Sequence, residues 1–169
     1  MMKWLGATLV ILSCGGLGYR IASAYRYEEQ TLRQLIAVLD YMECELQYRL
    51  TPLPSLCKQA ACECRGALSQ TFKNLSTELE DQLSPDVHCC MTAALSKVIK
   101  LPRLSYEALD LLGRSLGRFD LPGQLKGLEG VRMYCRRNLE DLVHNRDNRL
   151  RSYQTLGLCA GAALAILFI

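Results

Sequence analysis

The chain has 169 residues, and its 20 Lys and Arg against 17 Asp and Glu give a formal net charge of +3. Between residues 26 and 151 the charges nearly cancel, which excludes the concentrated basic patch typical of nucleic-acid-binding proteins. That middle stretch of about 126 residues is long enough for one small domain.

The two ends of the chain are apolar and contain no acidic residue, because the first Asp or Glu is Glu28 and the last is Asp147. A membrane-spanning helix needs about 20 apolar residues. The C-terminal run is just long enough, and the N-terminal run reaches that length if Arg20 extends its side chain to the membrane interface. The sequence therefore predicts transmembrane segments at residues 1–25 and 152–169.

The basic residues that flank these two segments predict the orientation of the domain. Segments on the cytoplasmic side of a membrane helix are enriched in Lys and Arg. Such side chains lie at the inner edge of both segments: Arg20, Arg26, Arg146, Arg149 and Arg151. We therefore expect residues 26–151 to form a cytoplasmic domain held at the cell membrane.

The N-terminal segment also has a feature of a cleavable signal peptide, since Ala22-Ser23-Ala24 resembles a cleavage site. Cleavage would leave a secreted domain with a C-terminal anchor. Two observations argue against cleavage. Arg20 lies between the apolar run and the site, and the seven cysteines of the middle are an odd number that fits reduced cytosolic thiols better than disulfides.

The first predicted helix continues from the membrane into the domain. Its apolar residues recur at i, i+3 and i+4 with no break after the first segment: Leu32, Leu35, Ile36, Leu39, Met42, Leu46 and Leu50. Pro52 bars continuation of this helix. We expect Thr51 to cap the next helix, with Pro52 at its first position.

The remaining elements are also helical in period. The second helix spans residues 53–64, and a third runs from about Leu68 to Leu83. Ser84-Pro85-Asp86 begins a fourth that ends before Leu101-Pro102, Ser105 is predicted to cap a fifth, and the last helix starts after the turn at Gly117–Gly123. Since no segment alternates as a strand does, we predict an all-α protein. Its six helices form an antiparallel bundle whose first and last helices lie side by side and extend into the transmembrane segments.

Two acidic residues near the end of the first helix are candidate contacts. Glu43 and Glu45 are two apart on a helix and point about 200° from each other, so they are not a catalytic pair. We expect them to face solvent or a partner protein. If Glu43 is buried it needs a hydrogen-bond partner, for which Tyr41, Tyr48 and Arg49 are the nearby candidates.

The cysteines raise the possibility of a metal site. Cys57, Cys62 and Cys64 could be joined by His88, Cys89 and Cys90, but no Cys-x-x-Cys occurs, and a tetrahedral zinc site is less favoured than small buried apolar side chains. No P-loop, Gly-x-Ser-x-Gly or His-Glu-x-x-His motif is present. We therefore expect no cofactor, no small-molecule substrate and no enzymatic activity.

Several short motifs occur in an order that is characteristic of a single protein family. Leu32–Leu35 reads Leu-Arg-Gln-Leu, Glu45–Tyr48 reads Glu-Leu-Gln-Tyr, and Thr51–Pro54 reads Thr-Pro-Leu-Pro. Later, Leu112-Gly113-x-x-Leu116-Gly117-x-x-Asp120 precedes a charged helix and the terminal apolar run. Over its whole length the chain resembles the stage III sporulation protein AB family. That family is similar in fold to the six-helix cytoplasmic domains of the inner-membrane platform proteins of type II secretion and type IV pilus machines.

The resemblance implies a function. It predicts a non-catalytic platform subunit of the channel that joins mother cell and forespore during endospore formation. The protein would lie in the mother-cell membrane around the forespore, with its soluble domain in the cytoplasm. Its partners would be the channel ATPase and other membrane subunits of the same complex, and not nucleic acid.

The candidate contacts are Glu43 and Glu45 together with two turns, which consist of Thr51, Pro52, Leu53, Pro54, Gly117 and Asp120. Thr51 and Asp120 also serve as possible helix caps, and Gly117 as a helix stop. The chain departs from its relatives at Ser55, where they tend to carry Glu, and at Leu121-Pro122, where they are more polar.

Two other functions remain open from the sequence. One is the secreted cysteine-rich domain described above, and the other is a membrane-tethered metal or redox sensor that uses the cysteines of residues 57–64 and 88–90. Labelling of a single cysteine placed at Ser76, which we expect to be exposed, would report on which side of the membrane the domain lies.

Overall fold

The computed structural model describes the backbone of residues 2–81, 86–117 and 120–168, and the side chains of residues 23–81, 86–117 and 120–144. The chain divides into two compact units. One comprises Met1–Glu29 with Glu140–Ile169, and the other comprises Gln30–Leu139, which we call the bundle. Nearly all of the described side chains belong to the bundle.

The described ranges contain six α-helices and no strand, which confirms the predicted all-α class and the number of helices. In chain order the helices are α1 (Met2–Tyr48), α2 (Leu53–Glu63), α3 (Gly66–Glu80), α4 (Val87–Ser96), α5 (Arg103–Ser115) and α6 (Leu121–Phe168).

Proline, not a hydroxyl side chain, begins α2 and α5. Pro52 is the N-cap residue of α2 and Pro102 that of α5, and neither helix has a side-chain cap hydrogen bond. The predictions that Thr51 and Ser105 act as caps are therefore wrong. Since the proline ring fixes φ and already directs the chain into the first turn, a hydroxyl cap is not needed there. Ser105 instead lies inside α5, fully buried.

The other boundaries are close to those expected. Helix α3 begins at Gly66, which has a φ of 64°, two residues before the predicted start at Leu68. Asp86 caps α4 by accepting a hydrogen bond from the backbone N–H of His88 at 3.3 Å. Helix α3 ends at Glu80, before the predicted end at Leu83, and α4 starts at Val87, after the predicted start at Ser84-Pro85. Residues 82–85 themselves lie outside the described residues.

Hydrogen bonds between α1 and α2 show that these two helices are antiparallel. The Tyr41 hydroxyl donates to Gln59 Oε1 at 2.8 Å, and the Arg65 N–H donates to Gln34 Oε1 at 3.2 Å. Residues further along α2 therefore lie beside residues earlier in α1. Helices α3 and α4 are also antiparallel, since the amide of Asn74 donates to the Ala94 carbonyl, whereas Cys90, earlier in α4, donates to the carbonyl of Glu78, later in α3.

The later helices continue this alternation. A Cβ on Gly113 would meet Met91, and one on Gly117 would meet Val87, so α5 runs back along α4. The Tyr134 hydroxyl donates to Glu107 at 2.7 Å, and Gly127 faces Ser115, so α6 runs back along α5.

These reversals give the bundle two ends. At one end lie Gln30, Leu139, the α2–α3 turn and the α4–α5 loop, and we call this the entry end. At the other end lie the α1–α2 turn and the α5–α6 turn, and we call this the far end. The distinction matters because both predicted contact turns are at the far end.

The core is built from apolar residues of all six helices, with Phe72 the largest fully buried side chain. Most of the predicted stripe on α1 is confirmed as buried, namely Leu32, Leu35, Leu39, Met42 and Leu46, while Ile36 is half-buried. Leu50 was expected to continue it but is 67% exposed, because α1 ends at Tyr48. Burial of each such side chain contributes about 1.5–3 kcal/mol, so this shared core is the main source of the bundle's stability.

Within the part of the chain that the structure describes, none of the helices combines the length and the apolar content needed to cross a membrane. Of the predicted transmembrane segments, residues 1–22 and 152–169 lie outside the residues whose side chains are described.

Candidate interaction site

A buried carboxylate holds the α1–α2 turn from inside. The Thr51 hydroxyl donates to Glu45 Oε2 at 3.0 Å, and Arg49 Nη1 lies 3.4 Å from Glu45 Oε1. Glu45 itself is buried. A buried carboxylate without hydrogen-bond partners would cost several kcal/mol, on the order of 3–5, so these two contacts are what allow Glu45 to lie there. Glu45 therefore shapes the turn from inside. The prediction that it faces solvent or a partner protein is wrong.

The outer surface of the same turn is mostly apolar. Leu50 has a φ of 50°, which a residue other than glycine rarely adopts, and its side chain is exposed. Tyr48 beside it is 76% exposed, and Pro52 is exposed too. Leu53 and Pro54 are half-buried in the first turn of α2. Strained backbone conformations persist where the surroundings hold them, and they occur often at binding sites.

Glu43 is part of a second cluster, which links the first and last helices. Arg132 Nη1 on α6 donates to Asp40 Oδ1 at 2.9 Å and to Glu43 Oε2 at 2.5 Å. The hydrogen bond with Asp40, with further attraction from Glu43, raises the pKa of Arg132. Within the bundle the first and last helices are therefore neighbours, as predicted.

The nearby partners predicted for Glu43 are wrong. Tyr41 donates to Gln59, Tyr48 is exposed, and Arg49 pairs with Glu45. The true partner is 89 positions away in the chain. No local pattern in the sequence points to a contact of that separation.

The α5–α6 turn is built from the two residues that local signals indicated. Gly117 follows the end of α5 with a φ of 75°, and a Cβ there would lie 2.3 Å from Val87 Cγ2. Asp120 Oδ1 accepts a hydrogen bond from the Gly123 N–H at 3.2 Å, and the Asp120 carbonyl accepts one from Gln124 at 2.9 Å. Gly117 as a helix stop and Asp120 as a helix cap are both confirmed.

The rest of this motif is explained by packing. Leu112 and Leu116 are fully buried. Gly113 lies so close to α4 that a Cβ would be 2.7 Å from Met91 Cβ. In the Leu-Gly-x-x-Leu-Gly-x-x-Asp block, the leucines and glycines therefore pack α5 against α4, and the aspartate begins α6.

A polar cluster between α4 and α5 was missed from the sequence. His88 Nε2 lies 2.9 Å from Asp110 Oδ1, and Arg114 Nη2 lies 2.9 Å from Asp110 Oδ2. Partial burial acts to raise the pKa of Asp110, but the hydrogen bond with His88 and the charge of Arg114 outweigh it and lower the pKa. The i, i+4 spacing of Asp110 and Arg114 was a visible signal, whereas nothing local indicated His88.

The cysteines divide into two groups. Those at 57, 64, 90 and 135 are buried, and those at 44, 62 and 89 are exposed. Burial raises the pKa of the Cys57 and Cys135 thiols to about 12. The prediction of small buried side chains is thus confirmed for Cys57, Cys64 and Cys90, and wrong for Cys62 and Cys89. Among the described residues no three His, Cys, Asp or Glu side chains are placed to hold a metal ion together.

The structure places the two predicted turns at one end without joining them. Residues 51–54, Gly117 and Asp120 all lie at the far end of the bundle, because α1 and α5 end there and α2 and α6 begin there. None of the hydrogen bonds described above connects one turn to the other. Together they form a candidate surface, which we call the far-end surface.

The family model for stage III sporulation protein AB matches residues 3–169. The chain belongs to this family. A relative named stage III sporulation protein AB from Bacillus subtilis (strain 168) is 27% identical over 172 residues, covering 100% of both chains. A solved structure of a stage III sporulation protein AB is similar in fold, with a TM-score of 0.64 and 24% identity over 72% of this chain and 98% of that chain.

Proposed function

We propose that this chain is a non-catalytic platform subunit of the channel between mother cell and forespore. The apolar ends would anchor it in the mother-cell membrane around the forespore, with the bundle in the cytoplasm. Family membership and the basic residues that flank the two apolar ends support this proposal.

The observation that carries the proposal is the placement of the two turns. The far-end surface lies opposite the end at which Gln30 enters the bundle and Leu139 leaves it. A protein that docks there would leave uncovered the end at which the chain enters and leaves the bundle. The partner in this proposal is the cytoplasmic ATPase of the channel, with other membrane subunits contacting the apolar ends.

The mechanism in this proposal is mechanical. Helices α1 and α6 both reach the far end, and Arg132 ties α6 to Asp40 and Glu43 on α1. A displacement of the far-end surface by the docked ATPase would be carried along these two helices as a pair. The arrangement needs no bound substrate and no titrating catalytic group.

Sidedness is the first part of the proposal to test. Ser76 is a poor labelling site because it is buried and its hydroxyl donates to the Lys73 carbonyl. Cys62 is exposed and can be kept as the one cysteine of a full-length chain. A membrane-impermeant maleimide added to intact sporulating cells should leave Cys62 unlabelled until the cells are lysed. Labelling before lysis would contradict the proposal and support the secreted-domain alternative.

Docking is tested by placing the same charge at the two ends of the bundle. Ser55 is exposed in the first turn of α2 at the far end, and Gln70 is exposed near the start of α3 towards the entry end. We expect Ser55→Arg to reduce co-purification of the channel ATPase with the full-length protein, and Gln70→Arg to leave it unchanged. Equal retention in both variants would show that the far-end surface is not the docking site.

A further inference from the structure

The loop between α4 and α5 exposes an aliphatic side chain almost completely. Ile99 is 95% exposed, the highest value of any large apolar residue described in the bundle. It lies in the segment 97–102, where Lys97 and Lys100 are exposed on either side of it. Single exposed apolar residues are common, but an apolar side chain flanked by lysines combines the two attractions that hold interfacial segments at anionic membranes, which are buried apolar area and attraction of cations to lipid.

The loop lies at the entry end of the bundle. On α5 and α6, Ser115 faces Gly127, and Glu107 is bonded to Tyr134. Following this antiparallel register, Arg103 at the start of α5 lies level with residues beyond Tyr134, towards Leu139. The 97–102 loop, which precedes Arg103, is therefore at the end from which α6 leaves the bundle.

The loop and the residues that flank it in the sequence carry basic but no acidic side chains. No Asp or Glu occurs from Val87 to Tyr106, a stretch that contains Lys97, Lys100 and Arg103. Lys97 pairs with Glu78, and Arg103 pairs with Glu107, yet their side chains remain 58% and 89% exposed. The loop thus presents an apolar tip within a set of cations, which complements an anionic surface with an apolar layer beneath it.

We propose that the 97–102 loop contacts the headgroup region of an anionic membrane, with Ile99 inserted at the headgroup–acyl boundary and Lys97 and Lys100 near lipid phosphates. This inference rests on the proposed membrane attachment through the two apolar ends. It adds a third contact, which holds the bundle close to the bilayer and leaves the far-end surface directed towards the cytoplasm.

Tryptophan fluorescence in the full-length chain tests the contact. The chain has a single tryptophan, Trp4. We would prepare Ile99→Trp and Tyr48→Trp, each with Trp4→Phe, in vesicles that contain phosphatidylglycerol with brominated acyl chains. Side chains at the interface lie about 5–10 Å into the headgroup–acyl boundary, within reach of bromine, so emission from position 99 should fall by about half or more. Emission from position 48, at the far end, should be unaffected.

Lysine substitutions test the role of charge. Each Lys near an anionic surface contributes about five-fold to membrane binding, so Lys100→Glu should lower the equilibrium constant between membrane-bound and free loop, obtained from the quenched fraction of Trp at position 99, about five-fold or more. Lys58→Glu is the matched control, because Lys58 is exposed on α2 away from the loop. Equal loss in both variants, or undiminished quenching in Lys100→Glu, would contradict lipid binding by the loop.

Quenching of Trp4 in the parent protein distinguishes a failure of this inference from a failure of the proposed function. If Trp4 is quenched while Trp at position 99 is not, the chain is in the membrane and the loop proposal is wrong. If Trp4 is not quenched, the anchoring itself fails, and the loop proposal fails with it. A blue-shifted but unquenched signal from position 99 would identify a protein contact and overturn the lipid assignment.

Discussion

The α1–α2 turn and the α5–α6 turn lie at the same end of the bundle and reverse the chain by different means. The α5–α6 turn uses residues suited to their backbone conformations, with glycine at a φ of 75° and aspartate as a helix cap. The α1–α2 turn places a leucine at a φ of 50° and relies on a buried carboxylate for support. One turn is therefore specified locally, whereas the other is held by its surroundings. Such a held, strained and exposed turn is the better candidate for a surface that binds a partner.

The largest effect is expected from Gly117→Ala. A Cβ at this position would lie 2.3 Å from Val87 Cγ2, and the residue has a φ of 75°. A left-handed conformation costs about 1–2 kcal/mol and overpacking about 1–3, while the smaller freedom of alanine in the unfolded chain returns about 0.4–1. The free energy of unfolding should therefore fall by about 2–4 kcal/mol. Gly130→Ala is the control, since a Cβ there meets nothing within 4 Å, and alanine should stabilise α6. Urea unfolding of the full-length chain in detergent measures both, and equal effects would contradict this account.

Thr51→Val tests whether Glu45 supports the α1–α2 turn. The substitution keeps the shape of the side chain but removes the hydroxyl that donates to Glu45 Oε2. A buried acceptor that loses one partner costs about 1–3 kcal/mol, and the remaining contact with Arg49 places the expected loss at the lower end, about 1–1.5 kcal/mol. The same unfolding measurement applies. A loss below the error of measurement would mean that the turn does not depend on this bond.

Asp120→Ala should cost about 1 kcal/mol, because the N-terminus of α6 loses its cap. Asp120→Asn retains an oxygen that can accept from the Gly123 N–H and should cost only a few tenths of a kcal/mol. Binding of the channel ATPase is measured in parallel. If Asp120→Ala is destabilised but binds as well as the parent, Asp120 is a cap only and not a contact residue.

Leu50→Gly should stabilise the protein, opposite in sign to Gly117→Ala. Relief of the left-handed strain gains about 1–2 kcal/mol, and the greater freedom of glycine in the unfolded chain takes back about 0.4–1, leaving a gain of about 0.5–1 kcal/mol. Gln47→Gly, at an exposed position in the last turn of α1, should instead destabilise the protein, by less than the roughly 1 kcal/mol that glycine costs in a helix interior. If Leu50→Gly is more stable but binds the ATPase less well, the exposed leucine serves binding at a cost in stability.

The smallest effect concerns Asp110, which helps to hold α4 beside α5 near the α5–α6 turn. The pKa of Asp110 is lowered in the folded state. Its contribution to folding stability is therefore complete above the pKa of the carboxyl in the unfolded chain and is lost as the pH falls through the pKa in the folded protein. Asp110→Asn should therefore be less stable than the parent at pH 7, by about 0.5 kcal/mol or less. The difference should shrink as pH falls below about 4. A difference that grows in acid would reverse the assigned sign.

Local signals in the sequence were sufficient for much of the fold and for one of the two turns. The apolar period placed the buried stripe on α1, and Gly117 and Asp120 specified the α5–α6 turn. Thr51 and Ser105 were misread as caps because a preceding or following proline already sets the direction of the chain. The partners of Glu43 and His88 could not be found, because Arg132 and Asp110 approach them only after the chain has folded back.

The glycines of α6 have a mechanical consequence. Three of them, at 123, 127 and 130, fall within its first ten residues, and the next glycine is Gly157. Gly127 is required for close approach to Ser115, but Gly130 has open space around it. Since glycine weakens a helix interior by about 1 kcal/mol relative to alanine, the first ten residues of α6 depend more on packing, as at Gly127 against Ser115, and less on intrinsic helix propensity. A load applied at the α5–α6 turn would therefore act on a part of α6 that packing against α5 holds in place, and it would reach the Arg132 contact with α1 through that packing.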